Sequence, residues 1–182
     1  MRVDWMLVVG LMTLVTNVGY FIRIVYLMEL TQELNSYDHL YSEFVAADVV
    51  DAFGRIDSFH DSLTNENESP SCAYATLLND KAAVRPFEAA RMRLVLWFER
   101  VMYYHKHRLL EEHAFDEFPG AFRTSRFIDQ VEPLTLVACQ HSKIPNCHIL
   151  FDYLRSMYNL PSRTTDKCVA AVSEDNSAKD EL

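Results

Sequence analysis

The stretch that most constrains this chain is the apolar segment 5–22, WMLVVGLMTLVTNVGYFI, which contains no charged side chain. Its 18 residues would form a helix of about 27 Å, close to the ~30 Å hydrocarbon core of a bilayer. The helix can continue to Met28, because Arg23 can extend its side chain to the headgroups while Tyr20 and Tyr26 lie at interfacial depth. The segment therefore predicts a single transmembrane helix.

Two other kinds of segment, a cleaved signal peptide and a buried core helix, can have a similar length and composition. A cleaved signal peptide has a basic start and a small-x-small cleavage site, whereas residues 1–4 contain one Arg and one Asp and no Ala-x-Ala follows. A buried core helix would explain the polar residues Thr13, Thr16 and Asn17. Small and hydroxylated residues are also what packing between transmembrane helices uses, so we favour the membrane anchor.

One side of this predicted span is suited to a second transmembrane helix. Gly10, Thr13, Asn17 and Tyr20 recur at spacings of three and four residues and therefore share one face of a helix. Small residues on such a face let two backbones approach closely, and an amide can form a hydrogen bond between helices. We expect this face to contact a partner helix.

The remainder of the chain predicts an all-α fold. Gly and Pro number only 4 and 6, and the alternation of apolar and polar residues that strands require is nowhere sustained. The expected organisation is a transmembrane anchor over 1–28, a helical bundle over 29–160 and a flexible polar tail over 161–182.

Apolar periodicity predicts four helical regions after the span. An apolar stripe from Leu30 to Ile56 indicates one helix or two, with a break near 35–36 or 42–43, and residues 64–71 read as a loop. A strongly amphipathic helix should begin near Pro86. Its expected core residues include Phe87, Ala90, Leu94, Trp97, Phe98, Val101, Tyr104 and Leu109.

The last two helices are expected on either side of a break at residues 143–145. In the first, Pro133 should produce a kink, and Asn146 should cap the second. The residues expected to line the first of them are Phe122, Phe127, Val131, Leu134 and Val137.

The formal charge of −9 is distributed unevenly along the chain. Residues 29–80 contain eleven acidic side chains and only Arg55 as a base, whereas residues 81–110 contain seven Lys and Arg against two Glu. Two segments of opposite charge attract each other in a folded hairpin, so the basic segment is interpreted as an intrachain partner of the acidic one. No nucleic-acid-binding motif accompanies it, and nucleic acid is not an expected partner.

The order of these features resembles a family. The anchor is followed by an acidic helix, then Arg93-Leu94-Val95-Leu96-Trp97-Phe98-Glu99, and then Leu109-Leu110-Glu111-Glu112 before an aromatic helix. This order resembles an uncharacterised bacterial group of small membrane-anchored helical proteins whose domain has no known function. The resemblance implies an anchored helical bundle and carries over no catalytic residue. Unlike that group, this chain has almost no basic residue directly after the span.

The basic residues around the span give a weak indication of the side of the membrane on which the domain lies. Arg2 precedes the span, and after Arg23 no base follows before Arg55, which favours an inside amino terminus and a domain outside, in a periplasm or lumen. Residues 179–182 spell KDEL, an endoplasmic-reticulum retention sequence, which the resemblance to bacterial proteins makes a coincidence. Asn67-Glu68-Ser69 fits the glycosylation pattern, which matters only in a eukaryotic lumen.

The sequence CQHSKIPNCH contains two cysteines and two histidines within ten residues: Cys139, His141, Cys147 and His148. These residue types bind zinc, but the spacing matches no standard finger, so no metal site is predicted and the four are candidates only. A Cys139–Cys147 disulfide is the alternative if the domain is exported, and reduced cysteines with surface histidines are the simplest interpretation. Cys168, in the tail, is expected to be idle.

A second group of candidate ligands follows the strongest helix: His105, His107, His113, Glu111, Glu112 and Asp116. His-Glu-x-x-His is absent, and such a run is more often the solvated end of a helix. No Gly-rich phosphate loop and no nucleophile elbow is visible, so no catalytic residue and no cofactor is predicted.

These features predict a non-enzymatic accessory subunit or assembly factor of a larger membrane complex. Its expected partners are membrane lipids, through residues 5–28, and other membrane protein subunits. The alternative is a membrane-tethered metal or redox protein that uses Cys139, His141, Cys147 and His148. A third possibility is a lipid-contacting protein whose basic segment 81–108 faces anionic headgroups.

Overall fold

A computed structural model describes residues 5–64, 69–163 and 168 of the chain. Within these residues the protein is all-helical, as predicted. Seven helices follow one another along the described chain: α1 Trp5–Phe44, α2 Ala47–Thr64, α3 Pro70–Leu77, α4 Lys81–Lys106, α5 Glu112–Glu117, α6 Gly120–Ser142 and α7 Ile149–Tyr158.

Helix α1 is the longest element, with 40 residues. Its most apolar 18-residue window has a mean hydropathy of 1.7, and none of that window is buried within the protein. A core helix would be covered, so the core-helix interpretation is wrong, and by length and composition α1 is able to cross a membrane. The helix continues without a break across residues 28–29 and 35–36, and the chain turns only at Val45 and Ala46.

Two helix starts differ from the sequence-based prediction because of local capping. Helix α3 begins at Pro70, inside the predicted loop 64–71, since proline is well suited to a first helical position. Helix α4 begins at Lys81 rather than near Pro86. The Asp80 carboxylate accepts hydrogen bonds from the backbone amides of Ala82 and Ala83, at 3.0 and 3.1 Å, and so caps the earlier turn.

Two local predictions for the last two helices were wrong, and the kink at Pro133 stays a prediction. Helix α6 runs uninterrupted past Pro133. Asn146 does not cap α7 with its side chain; it has a left-handed backbone with φ of 63°, its carbonyl accepts from the Ile149 amide, and His148 occupies the cap position. Phe122 is 82% exposed and does not line the core.

The hydrophobic core is centred on α4, which packs against α2 and α6. Ala90, Leu94, Trp97, Phe98 and Val101 of α4 are buried, as the 3.6-residue periodicity predicted. Phe87 and Tyr104 are half-buried at the edge, and Leu110 rather than Leu109 is buried after the helix ends.

The other predicted core residues of α6 are also confirmed: Phe127, Val131, Leu134 and Val137 are buried. The rings of Phe98 and Phe127 stack with centroids 3.8 Å apart, and Phe127 stacks in turn on Phe151 of α7 at 5.6 Å. This stack joins α4, α6 and α7 across the middle of the bundle.

An aromatic joint connects α1 to the bundle. Tyr37, Tyr41 and Phe44, on the last two turns of α1, surround the ring of Phe118 with centroid distances of 6.4, 5.2 and 5.0 Å. Phe44 also contacts Trp97 of α4 at 4.9 Å. Since α1 is otherwise largely exposed, these rings hold its end against the domain.

The predicted attraction between the acidic and basic segments is confirmed by two ion pairs. The Arg93 guanidinium lies 2.7 Å from the Asp48 carboxylate of α2, and Arg100 pairs with Glu43 of α1. These pairs are partly exposed, so they orient the helices more than they stabilise them.

A buried polar network links α3, α4 and α6. Arg91 is 4% exposed, forms an ion pair with Glu88 one turn earlier, and donates to the Thr135 hydroxyl at 3.2 Å. The hydroxyl of the fully buried Tyr74 donates to the same Glu88 carboxylate. Burial would raise the pKa of Glu88, but hydrogen bonds from Arg91 and Tyr74 outweigh it and hold this pKa below its ordinary value of 4.5.

A second network ties the end of α7 to α6. Arg155 donates to both carboxylate oxygens of Glu132, which is 4% exposed, and Arg163 donates to the same carboxylate at 2.7 Å. Arg163 also reaches Asp152 at 3.2 Å. The segment after α7 is thereby held against the bundle as far as residue 163.

Replacement of Phe44 tests the aromatic joint. We expect Phe44→Ala to lower the free energy of unfolding by about 2–4 kcal/mol, because it removes a half-buried ring that contacts three others. The matched control is Phe122→Ala, the same change at an exposed ring, which should stay within about 0.5 kcal/mol of the wild type. Denaturant unfolding of the detergent-solubilised protein measures both, and equal losses would contradict the joint.

The Glu88 network predicts a pH-dependent stability. Because the folded pKa of Glu88 is below the unfolded one, its contribution is present above the unfolded pKa and disappears as pH falls through the folded value. The Tm difference between the wild type and Glu88→Gln should therefore be largest near neutral pH and shrink below about pH 4. A difference that stays constant down to the acid limit would show that Glu88 carries no pH-linked stability.

Candidate functional site

The partner-helix face predicted on α1 is open to its surroundings. Gly10, Thr13, Asn17 and Tyr20 all lie on the exposed first half of α1, within about 80° of arc around its axis. A side chain added at Gly10 would meet no atom within 4 Å. The face is therefore uncovered within the described chain.

The polar side chains of this segment differ in how they are satisfied. The hydroxyls of Thr13 and Thr16 donate to the carbonyls of Val9 and Met12, at 2.9 and 2.8 Å. The side-chain amide of Asn17 has no hydrogen-bond partner among the residues that the structure describes. An amide in a hydrocarbon environment is stabilised by a hydrogen-bond partner on a second helix, so Asn17 is the residue of this face that most strongly indicates a partner helix.

Cys139 and Cys147 form a disulfide, with Cα atoms 6.5 Å apart. Cys139 lies near the end of α6 and is 9% exposed, while Cys147 is half-buried just before α7. Left-handed backbones at Lys143 and Asn146 fold the intervening loop back on itself. Of the interpretations of these cysteines, the disulfide is confirmed, and reduced cysteines are wrong.

The disulfide removes two of the four candidate metal ligands from use while it is formed. A zinc ligand must be a free thiolate, so Cys139 and Cys147 could join His141 and His148 only after reduction. Within residues 5–64, 69–163 and 168, no three side chains of His, Cys, Asp or Glu are arranged as a metal site.

Cys168 is not idle, which corrects the sequence-based expectation. It forms a disulfide with Cys72 of α3, with Cα atoms 5.4 Å apart, across a separation of 96 residues. The pairing was not predictable because four cysteines allow three connectivities. All four cysteines of the chain are thus paired. The rest of the expected tail after Arg163, including residues 179–182, and Asn67 of the glycosylation pattern lie outside the described residues.

The histidines after α4 have separate partners and do not converge. His105 Nδ1 lies 2.7 Å from the Tyr153 hydroxyl of α7, and the His113 Nδ1 atom lies 3.1 Å from the Glu111 carboxylate. The ring of His107 packs on Tyr103, with centroids 4.3 Å apart. This arrangement matches the solvated end of a helix rather than a shared ligand set.

A cleft that sequence reasoning missed lies between α1 and the α4–α5 connection. Its volume is about 1000 Å³, and its walls come from residues 26–33 of α1, residues 105–113, and Tyr153. The backbone amide of Glu111 donates to the Glu33 carboxylate at 2.9 Å and fixes the two walls. No local pattern could reveal the cleft, because its walls are about 80 residues apart in the chain.

Comparisons with known proteins add no assignment. The chain matches no protein-family model, no curated protein and no solved structure. The resemblance to a bacterial group of membrane-anchored proteins therefore stays a prediction.

The two disulfides should contribute unequally to stability, because the loops that they close differ in length. We expect Cys72→Ser/Cys168→Ser to cost about 4–5 kcal/mol and Cys139→Ser/Cys147→Ser about 2–3 kcal/mol. Denaturant unfolding measures the losses, and the reverse order would contradict the prediction. As a control on the pairing itself, the unreduced, denatured wild type should take up no alkylating reagent.

Proposed function

We propose that this protein is a non-enzymatic accessory subunit or assembly factor of a membrane protein complex. The observation that carries the proposal is the uncovered face of α1, where Asn17 lacks a partner in an apolar helix that the rest of the protein does not bury. A second transmembrane helix would satisfy the amide and cover Gly10 and Thr13.

A second contact with the same partner would come from exposed apolar side chains of the helical bundle. Phe122 is 82% exposed at the start of α6, and Ile149 is 54% exposed at the start of α7. Exposed large apolar side chains are common singly, but rings at an interface contribute more binding energy than most residues. We assign Phe122 the role of a peripheral contact that supports the α1 interface.

The bundle is proposed to lie on the extracytoplasmic or lumenal side of the membrane. One disulfide lies within the bundle and the other ties Cys168 to it, and disulfides form and persist in oxidising compartments. This agrees with the weak charge asymmetry around the span, with Arg2 before it and a base-poor segment after Arg23.

Two glycines of the span provide a matched test of the partner face. Gly10 and Gly19 are nine residues apart, so they lie on opposite sides of α1, and neither has an atom within 4 Å of an added Cβ. We expect Gly10→Leu to block close helix packing and to release the protein from its assembly, whereas Gly19→Leu should leave the assembly intact. Asn17→Leu should act like Gly10→Leu.

The measurement is size-exclusion chromatography with light scattering, after extraction from native membranes in a mild detergent. The wild type and Gly19→Leu should elute in a larger assembly. For Gly10→Leu, the ratio of free to assembled protein should rise about tenfold or more. A wild type that elutes as a lone monomer, or equal behaviour of the two glycine variants, would reject the proposed interface.

A second candidate function is thiol–disulfide exchange at Cys147. The observation that favours it is the half-buried Cys147, whose disulfide closes a loop over a separation of only eight residues, next to the exposed His148. Attack of an external thiolate on Cys147 would form a mixed disulfide and release Cys139 as the thiolate. In a glutathione buffer, alkylation of Cys139 before Cys72 and Cys168 would support this role, and simultaneous opening of both disulfides would reject it.

A further inference from the structure

The cleft between α1 and the α4–α5 connection lies where the membrane surface should be. With residues 5–28 in lipid, Glu29 and Glu33 follow Met28 by one and five positions, which places them about 1.5 and 7.5 Å beyond the end of the embedded segment. Each headgroup layer of a bilayer is roughly 5–8 Å deep. The cleft therefore opens at headgroup level if α1 spans the membrane as proposed.

The charged groups of the cleft are mixed in sign. Four carboxylates face two permanent cations there: Glu29, Glu33, Glu111 and Glu112 against Lys106 and Arg108. This excess of acids disfavours a purely anionic headgroup, such as the one expected for a basic lipid-facing segment. A ligand that carries both a cation and an anion would complement the mixed charges of the cleft.

The partners of these groups within the protein indicate which of them are available. Lys106 and Arg108 have no acidic partner within 4 Å among the described residues, and the same holds for Glu29 and Glu112 with respect to bases. All four side chains are exposed. By contrast, Arg93 and Arg100 further along α4 are paired with acids of α2 and α1.

We propose that this cleft binds the headgroup of a zwitterionic aminophospholipid. Lys106 and Arg108 would bind the phosphate, and Glu29 and Glu112 would bind the ammonium group. Tyr26, which precedes Glu29 by one helical turn and so lies nearer the bilayer, supplies apolar wall for the glycerol and upper acyl carbons. The proposal rests on the membrane anchoring of α1 but not on the partner face, which is remote from the cleft.

The test is native mass spectrometry of the full-length protein in a mild detergent. Phosphatidylethanolamine and phosphatidylglycerol with identical acyl chains are added in turn, and the bound fraction is compared. We expect phosphatidylethanolamine to be bound at least about fivefold more tightly. Lys106→Ala/Arg108→Ala should reduce binding of both lipids, and Glu29→Gln/Glu112→Gln should abolish the preference between them.

The matched control is Lys81→Ala/Arg85→Ala, which removes two exposed bases from the opposite end of α4. It should bind both lipids like the wild type, and thermal melting confirms that each variant is folded. Equal or tighter binding of phosphatidylglycerol by the wild type would overturn the proposal, as would cleft variants that bind like the wild type. A co-purified protein that fills the cleft and excludes lipid would overturn it too. None of these results depends on the Gly10 and Gly19 comparison, so the two proposals fail separately.

Discussion

The constraint on which the rest of this structure depends is the apolar first half of α1. None of its most apolar 18-residue window is buried within the protein, and each large apolar side chain left in water costs about 1.5–3 kcal/mol relative to burial. Insertion in a bilayer would supply that burial for the whole segment at once. Only the last turns of α1 contribute side chains to the core of the bundle, and that core is centred on α4.

A continuous helix and an aromatic joint couple the span to the bundle. Tyr37, Tyr41 and Phe44 meet Phe118 and Trp97, so the end of α1 rests on the same helix that organises the core. The buried network around Glu88 joins α3 and α6 to α4, and the hydrogen bonds from Arg155 to Glu132 join α7 to α6. A contact made in the membrane would therefore act on a firmly packed domain.

The parts of the fold that the sequence predicted are those governed by short-range periodicity. The apolar run of α1 and the buried face of α4 follow directly from residue spacing. Helix α3 was missed because it is only eight residues long and begins in a polar stretch. The start of α4 was misplaced because Pro86 suits a first helical turn, whereas the Asp80 carboxylate caps the helix five residues earlier. Phe122 lies five residues before Phe127, about 140° around the axis of α6, and so falls outside the core face of the helix.

The candidate sites also differ in whether short-range spacing or the tertiary fold determines them. The face of Gly10 and Asn17 is a property of one helix, so the sequence could indicate it. The pairing of Cys72 with Cys168, and the cleft that brings Glu29 near Arg108, join positions that are about 80 or more residues apart. Only the tertiary fold determines such contacts.

The central claim is that residues 5–28 are embedded in lipid in the mature protein. The most direct measurement is alkaline carbonate extraction of native membranes, followed by the intact mass of the protein recovered. We predict that the protein stays in the membrane pellet and that its mass includes residues 5–28. Release into the soluble fraction, or a mass that lacks this segment, would contradict the account.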